Sequence, residues 1–148
     1  LEYNLMLFRI GESRSSNNIQ ENHIKEIEGN NNKLDTFSEI TELTKKMKDA
    51  LLKGEIKTFG DLLHNSWLLK RKMNSSITND LVDDSYNTAK DIGALGGKLL
   101  GAGGSGYLLV YASPLYHKKI RNALYKKGVI QENFKFENKG LEVWSTKR

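Results

Sequence analysis

Gly93-Ala94-Leu95-Gly96-Gly97-Lys98-Leu99-Leu100-Gly101-Ala102-Gly103-Gly104-Ser105-Gly106 runs directly into Tyr107-Leu108-Leu109-Val110-Tyr111-Ala112. The first block holds seven of the chain's 13 glycines, and the second is rich in residues that favour a buried strand. Gly101 to Gly106 formally satisfies GxGxxG, but a dinucleotide site needs that motif to follow a strand and open a helix, whereas here it enters a strand. A Walker A loop fails as well, because Gly97, which precedes Lys98, has Ile92 and not glycine five positions before it, and Lys98 is followed by Leu99. Ser105 is no hydrolase elbow, since Tyr107 stands where GxSxG requires glycine. What remains is a physical reading. Four glycines in six positions let the backbone come close to another group, adopt positive φ and turn N–H groups toward an anion; the plainer alternative is a turn or bulge that packs under a neighbouring loop.

Downstream, Ser113-Pro114 reads as an N-cap followed by proline at the first helical position, starting a helix through Leu115, Ile120, Ala123 and Leu124 to Gly128. Phe134, Phe136, Leu141 and Val143 alternate about Asn138-Lys139-Gly140, which predicts a closing hairpin. Upstream lie four helical segments. Ser16 is a candidate N-cap for a helix to Glu28, and Leu34, Phe37, Ile40, Leu43, Met47, Ala50 and Leu51 form the stripe of a second that stops at Gly54. A third opens at Thr58 and carries Leu62, Leu63, Ser66, Trp67, Leu69 and Met73, with Lys70, Arg71 and Lys72 suiting the helix dipole at its end. The fourth is capped by Thr78, with Ile77 and Val82 as a hydrophobic staple and Gly93 as the stop. Tyr3 to Ile10 reads as a first strand ended by Gly11. Strands at both ends with helices grouped between them predict an α+β two-layer sandwich, an antiparallel sheet with helices packed on one face. Without β-α-β alternation, a parallel doubly wound sheet is disfavoured.

At 148 residues, with 38% hydrophobic and 28% charged residues, the composition is that of one ordinary globular domain. The net charge of +5 favours phosphate-bearing ligands without requiring a nucleic acid. The chain contains no cysteine, which excludes disulfides, thiolate catalysis and cysteine metal sites, and the three histidines lack metal-ligand spacing. The apolar runs are far short of the roughly 20 residues that span a bilayer. The expectation is a cytoplasmic protein with no membrane partner. A strand-like run without an initiator methionine at the start further suggests the C-terminal portion of a longer protein.

From Gly93 to Leu109 the chain resembles the third conserved motif of the GHMP small-molecule kinases. It is most similar to the sugar-kinase branch that includes D-glycero-D-manno-heptose 7-phosphate kinase, through Leu62-Leu63-His64-Asn65-Ser66-Trp67-Leu68-Leu69-Lys70, Ile77-Thr78-Asn79 and Gly11-Glu12-Ser13-Arg14-Ser15; the C-terminal regions of L-fucokinases are similar too. The resemblance covers nearly all of the chain and implies residues 1–148 to be a GHMP kinase C-terminal domain without its N-terminal nucleotide-binding domain. It implies transfer of the ATP γ-phosphoryl group to a hydroxyl of a sugar or sugar phosphate, with heptose 7-phosphate favoured. ATP and Mg2+ would be held mainly by the upstream half, because the family's principal phosphate loop and any catalytic acid have no counterpart here. No catalytic or metal-ligating residue is assigned to this chain, which alone would be inactive. Gly101, Gly103, Gly104, Ser105 and Gly106 are carried over as support of the nucleotide loop and border of the substrate cleft.

Position 105 departs from the family's run of glycines. Serine there raises the question whether that residue needs positive φ, while its hydroxyl offers a donor near phosphate. Arg14, in a Gly-x-x-Arg-Ser turn, is a candidate clamp for the substrate's phosphate, and Lys98 a second cation for it; each has a plainer reading, as a solvated loop arginine and a complement to backbone carbonyls. Trp67 reads as core, Asp83 and Asp84 as a solvated face, and Lys118, Lys119, Lys126 and Lys127 as a solvated helix surface. A binding class stays open beside the kinase: an independent α+β module for a phosphate ligand or RNA, although the basic helix lacks the interleaved aromatics that nucleic acid favours.

Overall fold

The computed structural model describes residues 1–11, 31–73 and 75–144. Strand β1 (Leu5–Ile10) is followed by helices α1 (Asn31–Leu52), α2 (Ile56–Met73) and α3 (Asp80–Ile92). Then come β2 (Ala94–Gly103), β3 (Ser105–Ala112), α4 (Pro114–Tyr125) and β4 (Ile130–Glu132), with single 3-10 turns at Glu2–Asn4 and Ser75–Ile77. The strands form one antiparallel sheet in the order β2-β3-β1-β4. β1 therefore lies between β3 and β4, and β3 between β1 and β2, so two crossovers interlock as in a split β-α-β arrangement. This is the α+β sheet-and-helix architecture that the sequence predicts.

The pleat sorts the side chains. Met6, Phe8 and Ile10 of β1, Leu108 and Val110 of β3 and Leu99 of β2 are fully or almost fully buried on one face. There they meet Trp67, Val82, Tyr86, Ala89, Ile120 and Leu124 from the helices. Each such side chain contributes about 1.5–3 kcal/mol by leaving water, so this layer is the principal stabilising element. Trp67 is completely buried, in keeping with its reading as core. The α1 stripe is shallower. Ile40, Leu43 and Met47 are half-buried, Ala50 is buried, and Phe37 remains exposed.

Three local expectations change. The glycine-rich segment is not a loop before a strand but a strand itself, because β2 pairs with β3 from Ala94↔Ala112 to Gly103↔Ser105. Glycine contributes no alternating side chains, so the pairing is invisible to a pattern search. Second, Asn79 rather than Thr78 caps α3: its side chain accepts from the Val82 N–H, while the Thr78 hydroxyl donates to Asp83 at 2.6 Å. Third, the expected hairpin around Asn138-Lys139-Gly140 does not form. Residues 133–144 carry no strand, and the sheet closes instead on the short β4, which pairs Leu7↔Glu132 through Arg9↔Ile130. The expected helix from Ser16 to Glu28 lies outside the described residues.

Candidate functional site

Gly96 fixes where α2 can lie. A Cβ on Gly96 would strike the Gly60 carbonyl and come 2.8 Å from the His64 nitrogen, and one on Gly60 would come 2.6 Å from Leu95 Cβ. Two glycines, one on the helix and one on the strand, thus permit a close crossing that larger residues forbid. It draws α2 along β2, an edge strand of the sheet. Covering an edge hides backbone groups that would otherwise invite another strand.

Between Leu100↔Tyr107 and Gly103↔Ser105, β2 uses one residue more than β3, a bulge that breaks the ladder just before the turn. The turn is Gly104, flanked by Gly103 and Ser105. Gly103 and Gly104 have φ of 125° and 72°, in the region that L side chains rarely adopt. Ser105 does not share it, since every positive φ among the described residues belongs to glycine. The departure at position 105 is thus compatible with the turn.

Neighbouring backbone holds the turn in place. The Gly104 N–H donates to the Ile77 carbonyl at 2.9 Å, and Asn79 Nδ2 donates to the Gly104 carbonyl at 2.5 Å. Gly103 lies against Ile77 so closely that a Cβ would sit 2.6 Å from the Ile77 Cα. The cap of α3 and the glycine turn are therefore one construction. On the other side, a Cβ at Gly11 would meet Ser105 Cβ at 3.1 Å, which brings the end of β1 beside the turn.

The sequence-predicted residues fall into two groups. Gly101, Gly103, Gly104, Ser105 and Gly106 come together at the β2–β3 turn, and Lys98 lies three residues before Gly101 on the same strand. Through its pairing with Leu109, itself opposite Leu7, Lys98 belongs to the sheet face away from the buried core. It is half-buried, and burial pushes its ammonium below the usual lysine range. Arg14 lies outside the described residues.

Sequence reasoning placed Lys70, Ile77 and Asn79 in segments similar to the sugar kinases but gave none of them a role at the turn. Lys70 Nζ donates to the carbonyls of Leu99 at 3.1 Å and Gly101 at 2.7 Å, and burial with the nearby Lys98 charge lowers its pKa to about 8. As one of three cations at a helix end, it carried no sign of this contact. Of Asp83 and Asp84, read as a solvated face, Asp84 is exposed and pairs with Lys127 at 2.5 Å, whereas Asp83 is half-buried and pairs with Arg71 at 3.0 Å. Arg71 also lies 5.9 Å from the centre of the Trp67 ring.

Beside the site, the His64 ring meets the Tyr86 hydroxyl at 2.6 Å. Burial is the main cause that raises the Tyr86 pKa and lowers that of His64, with the Lys90 charge adding to the latter. Among the described residues no cluster of His, Asp or Glu could hold a metal ion, and no helix is long and apolar enough to cross a membrane.

Residues 47–130, which include α2, α3 and the whole glycine turn, match the family described as GHMP kinases C terminal. This chain belongs to that family. Over 97% of its length it is 29% identical to the D-glycero-alpha-D-manno-heptose 7-phosphate kinase of Campylobacter jejuni, of which it covers 42%. Its fold is similar to a D-glycero-D-manno-heptose 1-phosphate kinase from Bacteroides thetaiotaomicron, with a TM-score of 0.60, 20% identity and 98% of this chain and 37% of that one covered. It is similar also to the Streptococcus pneumoniae phosphomevalonate kinase in complex with phosphomevalonate and AMPPNP, with a TM-score of 0.68, 19% identity and 86% and 39% covered. The chain thus spans less than half the length of each of these relatives.

Proposed function

We propose that this domain is the C-terminal half of an ATP-dependent sugar-phosphate kinase that phosphorylates a hydroxyl of a heptose 7-phosphate. The observation that carries the reading is the anchored turn from Gly101 to Gly106, in a chain that belongs to the GHMP kinases and is 29% identical to a heptose 7-phosphate kinase. Phosphoryl transfer needs reactants held in line and negative charge stabilised, and it needs little covalent chemistry from the protein.

Bound ATP would supply the phosphoryl group, with Mg2+ and the main phosphate loop assigned to an upstream half. This chain's contribution is a backbone wall and positive charge. At Gly101 nothing fills the space a side chain would take, which leaves that backbone open to a phosphate. Lys98 is a half-buried cation, and among the described residues no carboxylate pairs with it. Lys98 and Arg14 are assigned to the sugar's existing phosphate, and Gly101, Gly103, Gly104, Ser105 and Gly106 to the cleft border.

The test compares the protein produced from the complete coding sequence with residues 1–148 alone, each given ATP, Mg2+ and either D-glycero-D-manno-heptose 7-phosphate or L-fucose. The account expects a bisphosphate product by mass spectrometry from the complete protein with the heptose, and no turnover from residues 1–148. Robust turnover by residues 1–148 would refute the division of labour. Phosphorylation of fucose alone would refute the substrate, and salt-sensitive RNA binding without sugar turnover would refute the kinase.

A further inference from the structure

We propose that Lys70 is the positioning residue of the glycine turn: from α2 its ammonium holds the Leu99 and Gly101 carbonyls where β2 loses its ladder to β3. Three observations carry this. The two carbonyls stand two residues apart on an edge strand, so they lie on one side of it, and a single ammonium reaches both. The second contact falls within the bulge between Leu100 and Gly103, where the regular pairing that would orient a peptide is interrupted. Gly101 also has a φ of 86° with nothing packed around its missing side chain, so packing does not fix it.

Lys70 thereby anchors the upstream side of the turn, as Ile77 and Asn79 anchor the downstream side. Without it the Gly101 carbonyl would lose its tie to α2. A glycine so released samples a wide range of φ and ψ, and the wall it belongs to loses its shape.

The charges around Lys70 make the anchor sensitive to pH. Lys98 on β2 is close enough for its charge to repel it, Arg71 beside it on α2 is turned to Asp83 of α3, and no carboxylate among the described residues pairs with Lys70. Burial and the Lys98 charge bring its pKa down to about 8. Above that pH the charge-assisted bonds to both carbonyls become ordinary, weaker ones.

The consequence for catalysis rests on the kinase reading above; the structural claim does not. The experiment therefore has two readouts on the complete protein. Carbonyl carbon shifts of Leu99 and Gly101, followed by NMR from pH 6 to pH 10, are expected to titrate in the wild type with a midpoint near 8. They should lose this titration in Lys70→Met and stay flat to pH 10 in Lys70→Arg, whose guanidinium keeps its proton. Lys98→Met should move the midpoint upward by removing the repelling charge.

In the kinase assay, Lys70→Met is expected to lower kcat about tenfold with KM for ATP changed less than about threefold, and Lys70→Arg to restore kcat to within about threefold. The wild-type kcat should fall above pH 8, and that of Lys70→Arg should not. A titration that persists in Lys70→Met and vanishes in Lys98→Met would overturn the assignment. So would an unchanged kcat in Lys70→Met whose carbonyl shifts have moved. If the wild type shows no ATP-dependent turnover, the kinase reading fails while the carbonyl shifts still decide on Lys70.

Discussion

The chain contains two glycine-centred turn signals between apolar segments, and only one becomes a hairpin. Gly103-Gly104 joins β2 to β3, with the Ile77 carbonyl, the Asn79 side chain and the buried Leu99 and Leu108 around or beneath it. Asn138-Lys139-Gly140 has a glycine at φ 74° as well, yet Leu141, Val143 and Trp144 after it are 91%, 83% and 81% exposed. Lys139 makes local contacts there, to Glu142 at 3.4 Å and from its N–H to Glu137 at 2.8 Å. Turn chemistry permits a reversal of the chain, but a hairpin needs a face to bury. The first turn has the sheet and α3 behind it, and the second has water.

Substitutions can break this contrast in graded steps. Gly103→Ala should be the most damaging, because the new methyl meets the Ile77 backbone and the φ of 125° is wrong for alanine; a loss of about 3 kcal/mol is expected in urea unfolding. Asn79→Ala removes both the cap on the Val82 N–H and the donor to the Gly104 carbonyl. That should cost about 1–2 kcal/mol, read in the same assay. Gly140→Ala meets nothing within 4 Å and bears only the penalty of its φ, so about 1 kcal/mol is expected. Trp144→Ala should change stability by less than about 0.5 kcal/mol despite removing the largest side chain of the segment, since it is already in water. A cost for Trp144→Ala as large as that for Gly103→Ala would erase the distinction between the two turns.

What could be read in advance follows the same physics. Pro114 after Ser113 set the start of α4, and Gly93 set the end of α3 with a φ of 127°, because those signals act within a few residues. Trp67 declared itself as core by its place on an apolar stripe. β2 stayed hidden because its pairing partner, not its side chains, makes it a strand. The C-terminal hairpin was over-read because alternation at Phe134, Phe136, Leu141 and Val143 says nothing about whether a sheet face is free to receive it. Within the site, the glycines were legible as one cluster. Their anchors were not, since Lys70 and Asn79 are 31 and 25 residues distant from the carbonyls they reach at Gly101 and Gly104.

The most direct test of the account is amide hydrogen exchange at Gly104 in this chain. A turn held by Ile77 and Asn79 predicts protection comparable to the amides of β3, with Gly140 exchanging at the rate of an open chain. Gly104 exchanging as fast as Gly140 would contradict the account, because the turn would then be a loose loop and its backbone could border no ligand.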